Sequence, residues 1–275
     1  DAIIQNGREE HESRALVELV DRSELTEPVI LIADRGYEAY NNIAHIEQKG
    51  WNYLIRVKEK QGILSGLNLP DTPEFDACFS YSLSKRLTNR IRKEPQKYRW
   101  LPNKVQFDYI QDASDDLYPL SFRVVRFLVK EDLYETVITN LPEASFPPSL
   151  LRMLYHKRWG IETAFRDLKC TLALTHFHAK KRSFIMQEIF AKMTLYNFAS
   201  LLRLHVQFVQ PKGKYFYRVN AAFAAHIARE FLLGFIPAVN VEALIASLLF
   251  PVRPGQHKPR NMRVKRPAYF QYRMV

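Results

Sequence analysis

The sequence is poor in cysteine and has no long hydrophobic run, and each shortage excludes a class of protein. Its two cysteines, Cys78 and Cys170, leave no disulfide framework and no Cys-x-x-Cys pair for a metal. No apolar run reaches the roughly 18 residues of a membrane-spanning helix, and the first residues are too polar for a signal peptide. We therefore expect a cytoplasmic protein with no membrane partner. The missing initiator Met favours a fragment or a processed product.

Acidic residues become scarce in the second half of the chain. The 275 residues carry 40 Lys+Arg and 29 Asp+Glu, for a formal net charge of +11. Residues 1–150 hold 19 basic and 24 acidic side chains, whereas residues 151–275 hold 21 basic and only 5 acidic ones. Such an excess favours a polyanionic partner such as nucleic acid, but a merely soluble basic surface would have the same composition.

The first part of the chain predicts two strands joined by a helix, after a short amphipathic helix over residues 9–22. Residues 29–33 form an unbroken apolar run, typical of a strand buried on both faces of a parallel sheet. Residues 38–48 predict a helix that Gly50 ends, and residues 51–57 predict the second strand. This order is typical of a βαβ unit.

Residues 58–146 predict a β-rich insertion, because Pro, Asp and Ser interrupt short alternating runs. Within it, residues 122–129 and 133–139 flank a turn and predict an antiparallel hairpin. The tail from Pro251 is basic and rich in proline, and we expect an irregular arm. Three helices are predicted between the insertion and the tail, at about residues 149–169 with Ser149 as the N-cap, 183–204 and 219–234.

Two places in this pattern hold candidate functional residues. Asp34 follows the first strand, at the edge where open α/β sheets build their sites, although Asp-x-Gly is also common turn chemistry. On one continuous helix, Tyr155, Arg158, Glu162 and Lys169 fall inside an arc of roughly 60°. Arginines four residues either side of the glutamate would equally form surface pairs, worth only ~0.2–0.5 kcal/mol each. The pattern alone leaves both readings open.

The spacing Tyr-x2-Arg-x3-Glu-x6-Lys over residues 155–169 resembles the signature of DDE transposases of bacterial insertion sequences. The group with this signature is insertion sequence four and its relatives. Residues 31–37 (LIADRGY) resemble the family's second-Asp block, and residues 53–56 (YLIR) resemble the strand after it. Both blocks stand in the family's order, and the resemblance is clearest at residues 29–57 and 150–200.

The resemblance implies an α/β fold with a ribonuclease-H-like catalytic core, interrupted by a β-rich insertion and followed by a helical C-terminal region. The chain would be N-terminally truncated. Its parts would be residues 1–57 (core lacking its first strands), 58–146 (insertion), 147–205 (remaining core with the Glu helix) and 206–275 (helical and basic region).

The resemblance also implies a site for phosphodiester chemistry. Asp34 and Glu162 would be catalytic, as two of three acidic ligands of a pair of divalent ions, Mg²⁺ or Mn²⁺. The partners would be double-stranded DNA of the transposon inverted repeats and target DNA. The protein would form a homodimer on this DNA, at the nucleoid of a bacterial cytoplasm. DNA-binding residues would be Tyr155, Arg158, Lys169 and Arg56.

The family's first Asp has no good match in this sequence. Asp1 lies only 33 residues before Asp34, and the helix predicted between them leaves no room for the intervening strands. We expect that carboxylate upstream, so that this chain alone is inactive on transposon-end DNA with Mg²⁺. Two alternatives stay open: a DNA-binding transposase remnant without catalysis, and a metal-dependent nuclease of another lineage. The seven-residue spacing from Glu162 to Lys169 favours the transposase.

Overall fold

The computed structural model describes residues 2–5, 11–59, 61–252 and 271–272. The chain divides into two compact units, the first ending at Trp159 and the second beginning at Gly160. Each unit is described here by itself.

The first unit opens with the predicted βαβ arrangement. It contains α1 (Glu12–Arg22), β1 (Ile30–Ala33), α2 (Tyr40–Gln48) and β2 (Asn52–Arg56), and the two strands pair in parallel. The chain leaves α2 through Gly50, whose φ of +75° is open to glycine but costly for other residues. The predicted strand–helix–strand order is therefore confirmed, and the predicted first helix is confirmed from Glu12 onward. Residues 9 and 10 lie outside the described residues.

The strands of the predicted insertion continue the same sheet. They are β3 (Phe75–Ser84), β4 (Tyr98–Trp100), β5 (Leu117–Lys130) and β6 (Leu133–Thr139), with α3 (Asn89–Lys93) between β3 and β4. The six strands follow the order β1-β2-β6-β5-β3-β4, in which β2 pairs antiparallel with β6. The predicted hairpin of β5 and β6 is confirmed. The fold is thus mixed α/β with a mixed sheet.

The burial of β1 differs from the prediction. Ile30, Leu31 and Ile32 are only half-buried, because β1 is an edge strand of the described sheet. The strand with a fully buried centre is instead β2, which lies between β1 and β6. Its central residue, Leu54, is 0% exposed. An edge strand loses the neighbour that would cover its second side, so the apolar run did not predict central burial.

Helices pack on both faces of this sheet. Val20 of α1 and Ile43 of α2 belong to one apolar cluster, together with alternate residues of the strands. Leu151 and Tyr155 of α4 (Pro148–His156) belong to a second cluster with Leu54 of β2. The sheet therefore has α1 and α2 on one face and α4 on the other.

The helix predicted over residues 149–169 is not continuous. It begins one residue early, at Pro148 after the N-cap Pro147, so Ser149 is not the cap. A turn at residues 157–158 separates α4 from α5 (Trp159–Arg166), and a π-helical segment, Asp167–Thr171, follows. The arc of roughly 60° was predicted for one continuous helix, so it does not apply to Tyr155, Arg158, Glu162 and Lys169 together.

The second unit is mainly helical. Its helices α6 (Arg182–His205) and α7 (Ala221–Leu232) confirm two predictions, whereas α8 (Ala238–Ser247) was not predicted. Two ribbons accompany them: β7 (His176–Phe177) with β10 (Gln271–Tyr272), and β8 (Phe216–Val219) with β9 (Leu249–Val252). Pro251, predicted to start an irregular arm, lies instead in β9 opposite Tyr217. Most of that arm falls outside the described residues.

None of the helices in the described residues is long and apolar enough to span a membrane.

One buried ion pair ties the sheet to the segment that leads into α4. Arg123 of β5 is 3% exposed; its Nε donates to Asp76 Oδ1 at 2.6 Å, and its Nη2 donates to Asp76 Oδ2. Its Nη1 also donates to the carbonyl of Phe146, at 2.8 Å. Because a buried guanidinium is stable only when its charge and donors are satisfied, this pair holds β3, β5 and the entry to α4 together.

We predict that Asp76→Asn lowers the free energy of unfolding by about 3 to 5 kcal/mol, because it leaves the buried Arg123 charge without its counter-charge. Urea unfolding followed by circular dichroism measures the change. Asp115→Asn is the matched control: it breaks the Arg86–Asp115 pair, whose side chains are 54% and 75% exposed, and should cost less than about 1 kcal/mol. Equal losses in the two variants would contradict the prediction.

Candidate active site

Asp34 lies at the C-terminal end of β1 and also caps a turn. Its Oδ1 accepts the N–H of Gly36 at 2.8 Å, which begins a short 3₁₀ turn over Arg35–Tyr37. A Cβ at residue 36 would lie 3.0 Å from that oxygen, so glycine permits the close approach. The turn role read from Asp-x-Gly is therefore confirmed, and Asp34 directly follows β1, as predicted. The residue is exposed, and within the described part of the chain its other carboxyl oxygen has no hydrogen-bond donor.

Arg56 ends β2 at the same edge of the sheet, because β1 and β2 are parallel. Its Nη1 lies 3.2 Å from Oε1 of Glu135 on β6, and the two side chains are 36% and 18% exposed. Arg56 is thus a half-buried cation with one carboxylate at its side.

An open cleft of about 470 Å³ lies beside this pair. Its volume is within the range of small-ligand sites. The cleft is formed by the turn after β1, the chain after β2 and the start of β6. Three cations and two carboxylates line it: Arg35, Arg56, Lys58, Glu59 and Glu135.

Of these five charged residues, the sequence predicted only Arg56 as part of the site; Arg35, Lys58, Glu59 and Glu135 were not predicted. Arg35 stands inside the block already quoted around Asp34, so a basic residue beside the carboxylate was a usable signal. For Glu135 no local signal exists, because only the pairing of β2 with β6 brings it to Arg56 across 79 residues of chain.

Tyr155 lies in the last turn of α4, buried at 4% exposure. Its hydroxyl has no hydrogen-bond partner among the described residues. Burial raises the pKa of this phenol above its usual value; Arg158 and Arg56 oppose the rise, and Glu135 and Asp34 add to it. The hydroxyl therefore stays protonated at neutral pH and can donate a hydrogen bond.

Arg158 lies in the turn after α4, next to two aromatic rings. Its guanidinium carbon is 6.0 Å from the ring centroid of Tyr155 and 5.3 Å from that of Trp159. These cation–π contacts hold the guanidinium beside the two rings. Four of the six residues predicted for the site thus lie in the first unit, where Asp34, Arg56 and Arg158 all act electrostatically on the Tyr155 hydroxyl.

Glu162 and Lys169 belong to the second unit. Glu162 is exposed in the first turn of α5, where the helix dipole favours a negative charge. Lys169 is exposed in the π-helical segment, with its Nζ 5.5 Å from the ring centroid of Phe165. Single π-helical turns inside helices are frequent at functional sites.

The donor chemistry of Asp34 and Glu162 suits a hard divalent cation, because both offer exposed carboxylate oxygens. The described residues contain no group of three His, Cys, Asp or Glu side chains placed to hold a metal ion.

The family model described as a transposase DDE domain matches residues 2–198 of the 275, a span that includes all six predicted site residues. No curated protein matches the chain.

We predict that Tyr155→Phe separates stability from DNA binding. Removing a buried hydroxyl that has no partner in the described structure should leave the free energy of unfolding within about 1 kcal/mol of wild type. The sequence predicts that this hydroxyl binds a DNA phosphate, so its loss should weaken DNA binding by about tenfold. Urea unfolding and fluorescence anisotropy with a labelled duplex measure the two effects.

The control for this variant is Tyr81→Phe. Tyr81 is also buried, but its hydroxyl donates to Tyr40 at 3.2 Å. This change should cost about 1 kcal/mol of stability and leave DNA affinity unaltered. Unchanged DNA binding in Tyr155→Phe would contradict the role given to its hydroxyl.

Proposed function

This chain belongs to the family of transposase DDE domains, and we propose that it takes part in cutting DNA at transposon ends and joining the ends to target DNA with divalent metal ions. The observation that carries the proposal is the grouping of the exposed Asp34 carboxylate with the neutral Tyr155 hydroxyl and the Arg56 and Arg158 guanidiniums. A carboxylate for a cation beside donors for phosphate is the set that phosphodiester chemistry requires. The Tyr-Arg-Glu-Lys spacing supports the insertion sequence four group.

Asp34 and Glu162 would hold Mg²⁺ or Mn²⁺. Bound metal ions supply Lewis-acid stabilisation of the attacking and leaving oxygens of a phosphodiester. Asp34 can take this role while it caps its turn, since Oδ1 accepts the Gly36 N–H and the second oxygen points to no donor in the described residues. The resemblance assigns the family's first carboxylate to no position of this sequence.

The remaining site residues would bind the DNA strand. The Tyr155 hydroxyl would donate to a phosphate oxygen, and Arg56, Arg158 and Lys169 would offset phosphate charge and fix the strand's register. Arg158 would present its guanidinium with its conformational freedom already reduced by the contacts with the Tyr155 and Trp159 rings. A basic second half of the chain supports a long duplex partner, and we propose a homodimer on DNA at the bacterial nucleoid.

We predict that Asp34→Asn and Glu162→Gln each reduce excision of the element by at least about a hundredfold, because each removes a charged metal ligand. The measurement is excision of a marked element, bounded by the inverted repeats that flank the gene, in bacteria that express the complete gene. Asp34→Asn should fold normally, since the amide oxygen can still accept the Gly36 N–H.

Glu18→Gln is the control for these variants, because it alters an exposed carboxylate that pairs with Arg22 on α1. It should excise at the wild-type rate. Undiminished excision by Asp34→Asn would contradict the metal role. If the wild-type protein binds the repeats and never excises the element, the non-catalytic DNA-binding alternative holds instead.

A further inference from the structure

We infer that Glu135 is a specificity-determining residue that competes with DNA phosphate for Arg56. The inference rests on the proposed function, because it takes Arg56 as a DNA contact. In the described structure the guanidinium already has an anionic partner, the Glu135 carboxylate at 3.2 Å. A phosphate has to displace that carboxylate or share the guanidinium with it.

The contact between these residues follows from strand pairing. Arg56 is opposite Val137 in the antiparallel pair of β2 and β6, and Glu135 is two residues from Val137, on the same face of the sheet. Diagonal neighbours in a sheet are within reach of long side chains. The pair is therefore set by the backbone register and exists before any DNA arrives.

The contact between Arg56 and Glu135 can be exchanged for a contact with another anion. One of its nitrogens contacts one oxygen of Glu135, and 36% of its side chain is exposed. Arg123 in the same sheet shows the permanent arrangement: it is 3% exposed, engages both oxygens of Asp76 and also binds a backbone carbonyl. The Arg56 side chain is more exposed than that of Arg123 and its contact with the carboxylate is less extensive, so replacing Asp76 would cost more than replacing Glu135 by phosphate.

The charges that line the cleft indicate how Glu135 affects the binding of a DNA strand. Glu135 and Glu59 line the cleft together with Arg35, Arg56 and Lys58, and Glu59 pairs with Arg126 at 3.5 Å, which leaves Glu135 as the carboxylate nearest Arg56. A phosphate that approaches Arg56 meets a like charge about one contact away, which opposes binding. A strand seated in the whole site also gains the hydroxyl of Tyr155, whereas a strand that reaches Arg56 alone does not. Glu135 therefore penalises a strand that reaches Arg56 alone more than a strand seated in the whole site.

The test is the affinity of the chain for a random-sequence duplex, measured by fluorescence anisotropy over a range of NaCl concentrations. We expect Glu135→Gln to bind about three- to tenfold tighter at low salt. Its plot of log K against log salt should steepen by about 0.9, because Arg56 gains one phosphate contact. A purely structural role for Glu135 would not change this slope in that direction.

Two further variants make the test specific. Glu131→Gln removes the same charge from the turn of the same hairpin, where the side chain is 83% exposed, and should change affinity less than twofold. In the double variant Arg56→Gln/Glu135→Gln, the gain should disappear. If Glu135→Gln folds poorly, Glu135→Asp takes its place in the test. It keeps the charge but shortens the side chain, so affinity should again increase.

Each outcome decides the inference. If Glu135→Gln binds more weakly, Glu135 orients Arg56 for DNA and the inference is overturned. The inference is also overturned if the effect of Glu135→Gln equals that of Glu131→Gln. If Arg56→Gln alone weakens binding while Glu135→Gln behaves like Glu131→Gln, the inference fails and the proposed DNA contact stands. If Arg56→Gln has no effect on affinity, both fail.

Discussion

The antiparallel pairing of β2 with β6 is the contact on which the rest of the first unit depends. It joins the βαβ segment to the hairpin of β5 and β6, through pairs such as Ile55 and Ile138, both fully buried. The Thr139 hydroxyl donates to the Tyr53 carbonyl at 2.6 Å, and the Tyr53 N–H donates to Asn140 at 2.9 Å. Because the first of these bonds is buried and the second partly buried, breaking the pairing would leave unsatisfied polar groups as well as exposed apolar surface.

The same pairing determines the chemistry of the sheet edge. It places Glu135 beside Arg56, and the sheet that it completes buries one face of α4. Tyr155 is on that buried face, so its phenol is desolvated and keeps its proton. A side chain that contributes to the apolar core thus also offers a hydrogen-bond donor among the charges of Asp34, Arg56, Glu135 and Arg158. Packing and site chemistry depend on one another here.

Two arginines of this sheet illustrate how burial decides the use of a charge. Arg123 is enclosed, so its guanidinium must be satisfied within the fold and serves to join three segments. Arg56 is at a strand end beside an open cleft, so its single carboxylate partner can be exchanged for another anion. The residue type is the same in both places, and the difference lies in how much of the guanidinium the surrounding strands enclose.

Patterns within short stretches of sequence were enough to predict some of the helices and strands. Apolar periodicity and Gly50 predicted α2 between two parallel strands, and the alternation on either side of a turn predicted the hairpin of β5 and β6. The family membership was readable from the motif around Asp34 and from the Tyr155–Lys169 spacing. The interruption at residues 157–158 was not readable, because helix periodicity continues through a turn whose N–H groups bond three residues back.

By itself, then, the sequence determined the transposase DDE family, the βαβ start of the fold and the identity of the carboxylates and cations proposed for the site. The tertiary structure alone decided which strand is central, that Tyr155 is buried with its proton, and that Glu135 lies against Arg56. The physical reason is distance along the chain: strand partners and burial arise from contacts between segments 80 or so residues apart, and no local pattern encodes such a choice of partner.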